Sequence, residues 1–223
     1  LPRKSLLEID GQTVTDILIN RLKKTNFPVI LCTGDNPDNE KYLRPIAEKN
    51  GIGFFVGSED DMFMRIMDCI DKYCIANTVI VEGDDILTCP SVIKEIVEVR
   101  DKLNTNIVKS FDLPIGLNSI VVKTNIMHGL KSTNDTGWFN RIHNYPHIAI
   151  NYRMNRRYRL TLDYAEDYEV IKAIVKNCKD MSASGIVKFL DEHLEIDMLN
   201  DNVKDEYWEA YNKKLKDNPK KEA

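Results

Sequence analysis

Through its first hundred residues this chain alternates short apolar runs with amphipathic stretches of helical spacing, and that alternation narrows the choice of fold more than any other feature. Helices that link successive strands return the chain in the same direction, so the strands pair in parallel and helices cover both faces of the sheet. Gln12 to Lys24 carries Val14, Ile17, Leu18 and Leu22 at helical spacing and leads to a buried strand over Pro28 to Thr33. Asn39 to Asn50 predicts a second helix, stopped by Gly51, and Gly53 to Val56 a brief strand. Ser58 is placed to cap the next helix, which runs to about Tyr73, with Glu59, Asp60 and Asp61 near its positive end. Thr78 to Glu82 is rich in β-branched residues and predicts a buried strand ending at Gly83-Asp84-Asp85, after which Pro90 opens a helix to about Leu103.

Beyond Asn106 the pattern becomes mixed. Strands are expected at Ile107 to Phe111 and Asn118 to Lys123, at Ile148 to Tyr152, and at Arg157 to Leu162, the last delivering Asp163 to its end. Helices follow over Glu166 to Asn177 and Ser184 to His193. The fold class is therefore α/β, with a mixed, mostly parallel sheet and helices on both faces. One domain over residues 1–195 is expected, followed by a charged tail over 196–223.

Composition excludes several classes. With 43% hydrophobic and 30% charged residues the chain can build a full core, which argues against wholesale disorder. A formal net charge of -4 gives no global basic footprint for nucleic acid. The five cysteines are odd in number and form no CxxC pair, which argues against a disulfide framework and against a zinc ribbon. No apolar run approaches the roughly 18 residues of a membrane span, and the first residues lack a signal-peptide pattern, so a cytoplasmic enzyme or binding protein is favoured.

Asp84 and Asp163 are the residues with chemistry to offer. In open α/β sheets ligands gather at the carboxyl ends of strands, and Gly83 beside Asp84 leaves the backbone approachable. Taken singly, Asp84 reads equally as turn punctuation and Asp163 as a helix cap. Taken together, two carboxylates at strand ends suffice for Mg²⁺, which commonly binds one or two protein carboxylates with phosphate oxygens and water. Arg3 and Lys4 supply cations for triphosphate oxygens, Lys4 as a point charge and Arg3 as a planar fork, or else form a solvated basic terminus.

Five ordered motifs carry a family resemblance: Leu1-Pro2-Arg3-Lys4-Ser5-Leu6-Leu7-Glu8-Ile9-Asp10-Gly11, Gly57-Ser58-Glu59-Asp60-Asp61, Gly83-Asp84, Pro114-x-Gly116-Leu117, and Leu160-Thr161-Leu162-Asp163-x-x-Glu166-Asp167. Over about residues 1–195 the chain resembles the cytidylyltransferases that make CMP-activated acidic sugars, nearest to the branch named for spore-coat polysaccharide synthesis. The resemblance implies a Rossmann-like nucleotide-diphospho-sugar transferase fold that moves CMP from CTP to an anionic sugar or related small acceptor and releases pyrophosphate. Carried over by position, it places Lys4 on the triphosphate, Asp84 and Asp163 on Mg²⁺, and Arg3, Ser58, Asp61 and Gly83 around the nucleotide. It also implies a homodimer, with the acceptor and dimer region at about 112–160. Two alternatives stay open: a glycosyltransferase of similar fold that uses a nucleotide sugar, and a catalytically degenerate relative.

The departures from the family pattern are informative. A first strand and a loop of the form Arg-x-Gly-Ser-x-Arg normally precede Leu-Pro, so the expectation is a longer protein or another segment filling a central slot in the sheet. Arg3 stands where the family has glycine, and Asn118 where it has aspartate. On the acceptor side, Asp135, Thr136, Gly137, Trp138, Arg141, His143, Arg153, Arg156, Arg157 and Arg159 lie between the two aspartates. The arginines are suited to a carboxylate or phosphonate, or else alternate toward solvent along an exposed strand. Pro146 between His143 and His147 argues against a helical metal pair, and Cys32 and Cys89 lack a sequence-adjacent base for nucleophilic catalysis.

Overall fold

The computed structural model describes residues 1–130, 142, 145–154 and 157–204. The chain begins with a 3-10 turn at Lys4–Leu6 and a hairpin of β1 (Glu8–Ile9) and β2 (Gln12–Thr13). Asp10 and Gly11 close that hairpin at φ 49° and 76°, the left-handed conformations such a tight turn requires. Thr13 then starts α1 (Val14–Lys23) with a capping box, its side chain accepting from the Asp16 N–H while Asp16 accepts from the Thr13 N–H.

Two parallel strands come next. β3 (Ile30–Gly34) and β4 (Gly53–Gly57) pair in register from Ile30 with Gly53 to Gly34 with Gly57. Between them α2 (Pro37–Asn50) is capped by Asn36 and ends at Gly51, whose φ of 64° suits glycine. α3 (Met62–Lys72) follows β4. Its N-cap is Asp61, which accepts from the Met64 N–H, and not Ser58 as the sequence suggests. Ser58 instead accepts from the Asp61 N–H and secures the turn that delivers the true cap.

The remaining elements are β5 (Asn77–Val79), α4 (Pro90–Leu103), β6 (Ile107–Phe111), β7 (Ile120–Lys123), α5 (Thr124–His128), β8 (Ile148–Asn151), α6 (Ala165–Asn177), α7 (Ala183–Glu192), α8 (Leu194–Asp197) and a 3-10 turn at Met198–Asn200. Strand order in this sheet is β5-β7-β6-β8, with β6 and β8 parallel and β7 antiparallel to both its neighbours. Among the described residues, β3 has β4 as its one ladder partner and β5 has β7.

Side-chain alternation along β6 and β7 puts helices on both faces of the sheet. Ile107, Ile120 and Val122 pack with Phe63, Met67 and Ile70 of α3. Val108 and Val121 point the other way, onto Ile96 of α4. A larger core joins α1, the loop after Asp85, α6 and α7 around Ile86, Leu87, Tyr158, Leu160 and Leu162. Arg21, 5% exposed, ties α1 to that loop through its bonds to the carbonyls of Thr88 and Leu87, and reaches the Met181 carbonyl ahead of α7.

Two expected strands are corrected. The strand over Thr78 to Glu82 is laddered only as far as Val79, where its pairing with Val121 of β7 ends. Arg157 to Leu162 forms no strand, only a single bridge between Arg159 and Ile115. Its amide groups are spent on loops, Leu160 N–H on the Ile115 carbonyl and Leu162 N–H on the Asp84 carbonyl, each at 3.0 Å. The apolar pattern that suggested a strand is real, since Tyr158, Leu160 and Leu162 are all buried, but it serves core packing and not a ladder. Within the segment 196–223, Asp197, Asn200 and Val203 are buried. Of the acceptor-side residues, 135–138, 141, 143 and 156 fall outside the described residues, as does 205–223.

Candidate active site

Three of the residues singled out by the sequence meet at one point. Lys4 enters on the N-terminal 3-10 turn, which Thr15 of α1 anchors by donating from Oγ1 to the Ser5 carbonyl at 2.7 Å. Asp84 follows Gly83 in the loop after β5, and Asp163 precedes α6. The Lys4 ammonium donates to Asp84 Oδ2 at 2.8 Å and to Asp163 Oδ1 at 2.9 Å. The two aspartate loops are also joined through their main chains by the Leu162 N–H to Asp84 carbonyl bond.

Partial burial disfavours the Lys4 charge, but the hydrogen bonds and charges of Asp84, then Asp163, outweigh it and raise the Lys4 pKa above the usual value. Burial likewise works against ionised Asp163, but Lys4 and then Arg159 hold its pKa below the ordinary carboxylate range. At neutral pH Lys4 is therefore a cation and Asp163 an anion.

Further acidic groups crowd the same loop. The carboxylates of Glu82, Asp84 and Asp85 each present an oxygen within 4.8 Å of the others. Desolvation, followed by the charges of Asp84 and Asp163, raises the Glu82 pKa despite the opposing charge of Lys4. Asp85 is pushed well above the usual range, first by burial and then by Asp84 and Glu82, while a hydrogen bond from Thr161 partly offsets this. Asp84 Oδ1 is buried and has no hydrogen-bond partner among the described residues. An orphaned carboxylate oxygen beside the carboxylates of Glu82 and Asp85, with Asp163 linked to Asp84 through Lys4, is a donor set that fits a hard divalent cation such as Mg²⁺.

The other sequence candidates lie apart from this contact. Arg3, in the left-handed region at φ 52°, points to α2, where it pairs with Asp38 at 3.4 Å and stacks 5.1 Å above the Tyr42 ring. Ser58 and Asp61 stand after β4 and shape the start of α3, and the Ser58 carbonyl accepts from Arg65. Gly83 faces open space, for a Cβ built there would meet no atom within 4 Å.

Arg159 is the residue that the sequence reading misplaced. Arg153 and Arg157 are exposed, but Arg159 is 3% exposed and turned inward. It does not alternate toward solvent. Its Nη2 donates to Asp163 Oδ2 at 2.6 Å, and its Nε and Nη2 grip the fully buried carboxylate of Asp167. The signal was present as acids four and eight residues on, a spacing masked by the neighbouring arginines.

No protein-family model matches the chain. Among curated proteins, the spore coat polysaccharide biosynthesis protein SpsF of Bacillus subtilis is 24% identical over 221 residues, covering 86% of this chain and 89% of its own length. Among solved structures, a cytidylyltransferase of Leptospira borgpetersenii superposes with a TM-score of 0.77 at 21% identity, over 88% of this chain and 90% of its own. A CMP:2-keto-3-deoxy-manno-octonic acid synthetase solved with CTP gives a TM-score of 0.59 at 12% identity, over 79% of this chain and 92% of its own. The sequence relative thus carries the name of the spore-coat polysaccharide branch that the ordered motifs resemble, and the architecture is the Rossmann-like α/β fold shared with these solved cytidylyltransferase and synthetase structures.

Proposed function

We propose that this chain is a Mg²⁺-dependent cytidylyltransferase that transfers CMP from CTP to an anionic sugar or related small acceptor for surface polysaccharide or glycoconjugate synthesis. The observation that carries the reading is the convergence of Lys4, Asp84 and Asp163, with Asp84 Oδ1 left without a partner. SpsF by its name supports the polysaccharide setting, and the synthetase solved with CTP supports the nucleotide substrate.

Asp84 and Asp163 would hold the cation. When bound, Mg²⁺ neutralises charge on the triphosphate. The acceptor hydroxyl attacks the α-phosphorus and gives up its proton to solvent, a new P–O bond forms, the bond to the bridging oxygen of the leaving group breaks, and pyrophosphate departs. Lys4, on a flexible stem, transfers its ammonium from the two carboxylates to triphosphate oxygens, where negative charge accumulates on the leaving group. Ser58, Asp61 and Gly83 border the nucleotide, with Arg3 at the margin. Activity as a homodimer is part of the same proposal.

Pyrophosphate release tests it, with each of the four nucleoside triphosphates against a panel of sugar acids, with and without Mg²⁺. The expected result is release from CTP with one acceptor class only in the presence of the cation, lost in Asp84→Ala and Asp163→Ala. Transfer from a preformed nucleotide sugar without pyrophosphate release would replace this reading with a glycosyltransferase.

A further inference from the structure

The Asp163 carboxylate is held on both sides. Lys4 approaches Oδ1, while Oδ2 receives the Arg159 guanidinium at 2.6 Å. Arg159 is held in turn. Its Nε lies 3.0 Å from Asp167 Oδ1 and 3.3 Å from Oδ2, and its Nη2 lies 3.1 Å from Oδ2. Asp167 Oδ2 also accepts the main-chain N–H groups of Asp163 and Tyr164, both at 3.0 Å. One buried carboxylate therefore fixes the backbone that bears Asp163 and the arginine that aims its side chain.

The last member comes from far along the chain. Asn200, 1% exposed and at the end of the Met198–Asn200 turn, donates from Nδ2 to Asp167 Oδ1 at 2.9 Å and to the Arg159 carbonyl at 3.1 Å. A single amide thus grips both the acid that seats the guanidinium and the main chain from which the guanidinium projects. Breaking a buried ion pair of this kind leaves charges uncompensated, so each member depends on the others.

From this geometry we infer that Arg159, Asp167 and Asn200 are positioning residues which fix the Asp163 carboxylate so that Oδ1 faces Asp84 and the divalent cation. The inference rests on the metal reading of Asp84 and Asp163 proposed above. Residues that orient a ligating carboxylate through hydrogen bonds typically change metal affinity by about 10- to 100-fold when removed. A purely structural role would change stability and leave affinity alone.

The test is Mn²⁺ titration of the full chain without nucleotide, followed by electron paramagnetic resonance of the free ion and run at a temperature where circular dichroism shows each variant folded. Asn200→Ala and Arg159→Lys should each weaken Mn²⁺ binding by about 10-fold. Ile174→Val, a buried change in α6 with no polar partner, serves as a control and should leave affinity unchanged despite its cost in stability. Asp84→Asn, whose side chain bonds to Lys4, separates the two levels of the proposal. If Asp84→Asn loses binding while folded Asn200→Ala and Arg159→Lys stay within about twofold of the parent, positioning is overturned and the metal site stands. If Asp84→Asn also binds like the parent, the metal reading falls and this inference with it. Should Asn200→Ala fail to fold, Arg159→Lys decides.

Discussion

The Lys4 ammonium donates to Asp84 Oδ2 at 2.8 Å across 80 residues of sequence, in the same place where a divalent cation would be held. Under the proposed function, lysine and metal would compete in the nucleotide-free protein and act together on the triphosphate in the nucleotide complex. Lys4→Met separates these roles. Mn²⁺ affinity without nucleotide should rise, because an ammonium no longer has to be displaced. Affinity for CTP should fall by about 10- to 100-fold, corresponding to roughly 1.5 to 3 kcal/mol for a hydrogen bond to a charged group. Titrations of metal alone and of CTP with metal check both signs, and movement in the same direction would refute the competition.

Gly116 sits in the turn that brings Ile115 to Arg159. Its φ is +92°, and an added Cβ would lie 2.4 Å from the Leu160 carbonyl oxygen and 2.5 Å from its carbon, both backbone atoms with little room to give. Gly116→Ala should therefore cost about 1 to 3 kcal/mol in a urea unfolding experiment. Because Leu160 lies three residues before Asp163, the displaced backbone should also weaken Mn²⁺ binding. Gly83→Ala, where a Cβ meets open space, should change stability by less than about 0.5 kcal/mol.

Arg21 satisfies the carbonyls of Leu87, Thr88 and Met181 with one guanidinium. Two of these lie a few residues after Asp84 and Asp85, so Arg21 braces the acidic loop from behind. Arg21→Leu keeps apolar bulk but strips three acceptors of their donor, at about 1 to 3 kcal/mol for each buried group left unsatisfied. Loss of at least about 3 kcal/mol is expected from chemical denaturation. Arg21→Lys should recover only part, since an ammonium lacks the planar fork that reaches all three.

The sequence was most readable where one local rule decides. Pro90 at the start of α4 and Gly51 at the end of α2 mark those bounds, and β-branched or aromatic runs mark β4 and β6. Asp84 and Asp163 were visible because each ends an apolar run. That Lys4 spans both was not, for its partners lie 80 and 159 residues away and no local pattern encodes such closure. Arg157 to Leu162 misled for a related reason: Tyr158, Leu160 and Leu162 are buried as the pattern suggests, but so are Arg159 and Thr161 between them, and a strand also needs a neighbour to pair with. Asn200 was invisible, since a single amide near a charged segment carries no periodicity at all.

Asp16 provides a pH test away from the acidic cluster. Its side chain accepts from the Thr13 N–H and Oγ1 at the α1 cap, from Asn50 at 2.7 Å and from Lys49 at 3.3 Å, joining the start of α1 to the end of α2. Burial alone would raise its pKa, but the hydrogen bonds from Asn50, Thr13 and Lys49 outweigh it and place the folded value below the usual 3.8. A depressed folded pKa means that the unfolded chain binds the proton more readily, so the stabilisation is present above the unfolded pKa and is lost as pH falls through the folded one. Asp16→Asn should accordingly lower Tm at pH 7, and the gap to the parent should close as pH drops below the ordinary aspartate range. A gap that stays constant from pH 7 to pH 3 would mean that the carboxylate charge contributes nothing and that Asp16 acts only as a neutral cap.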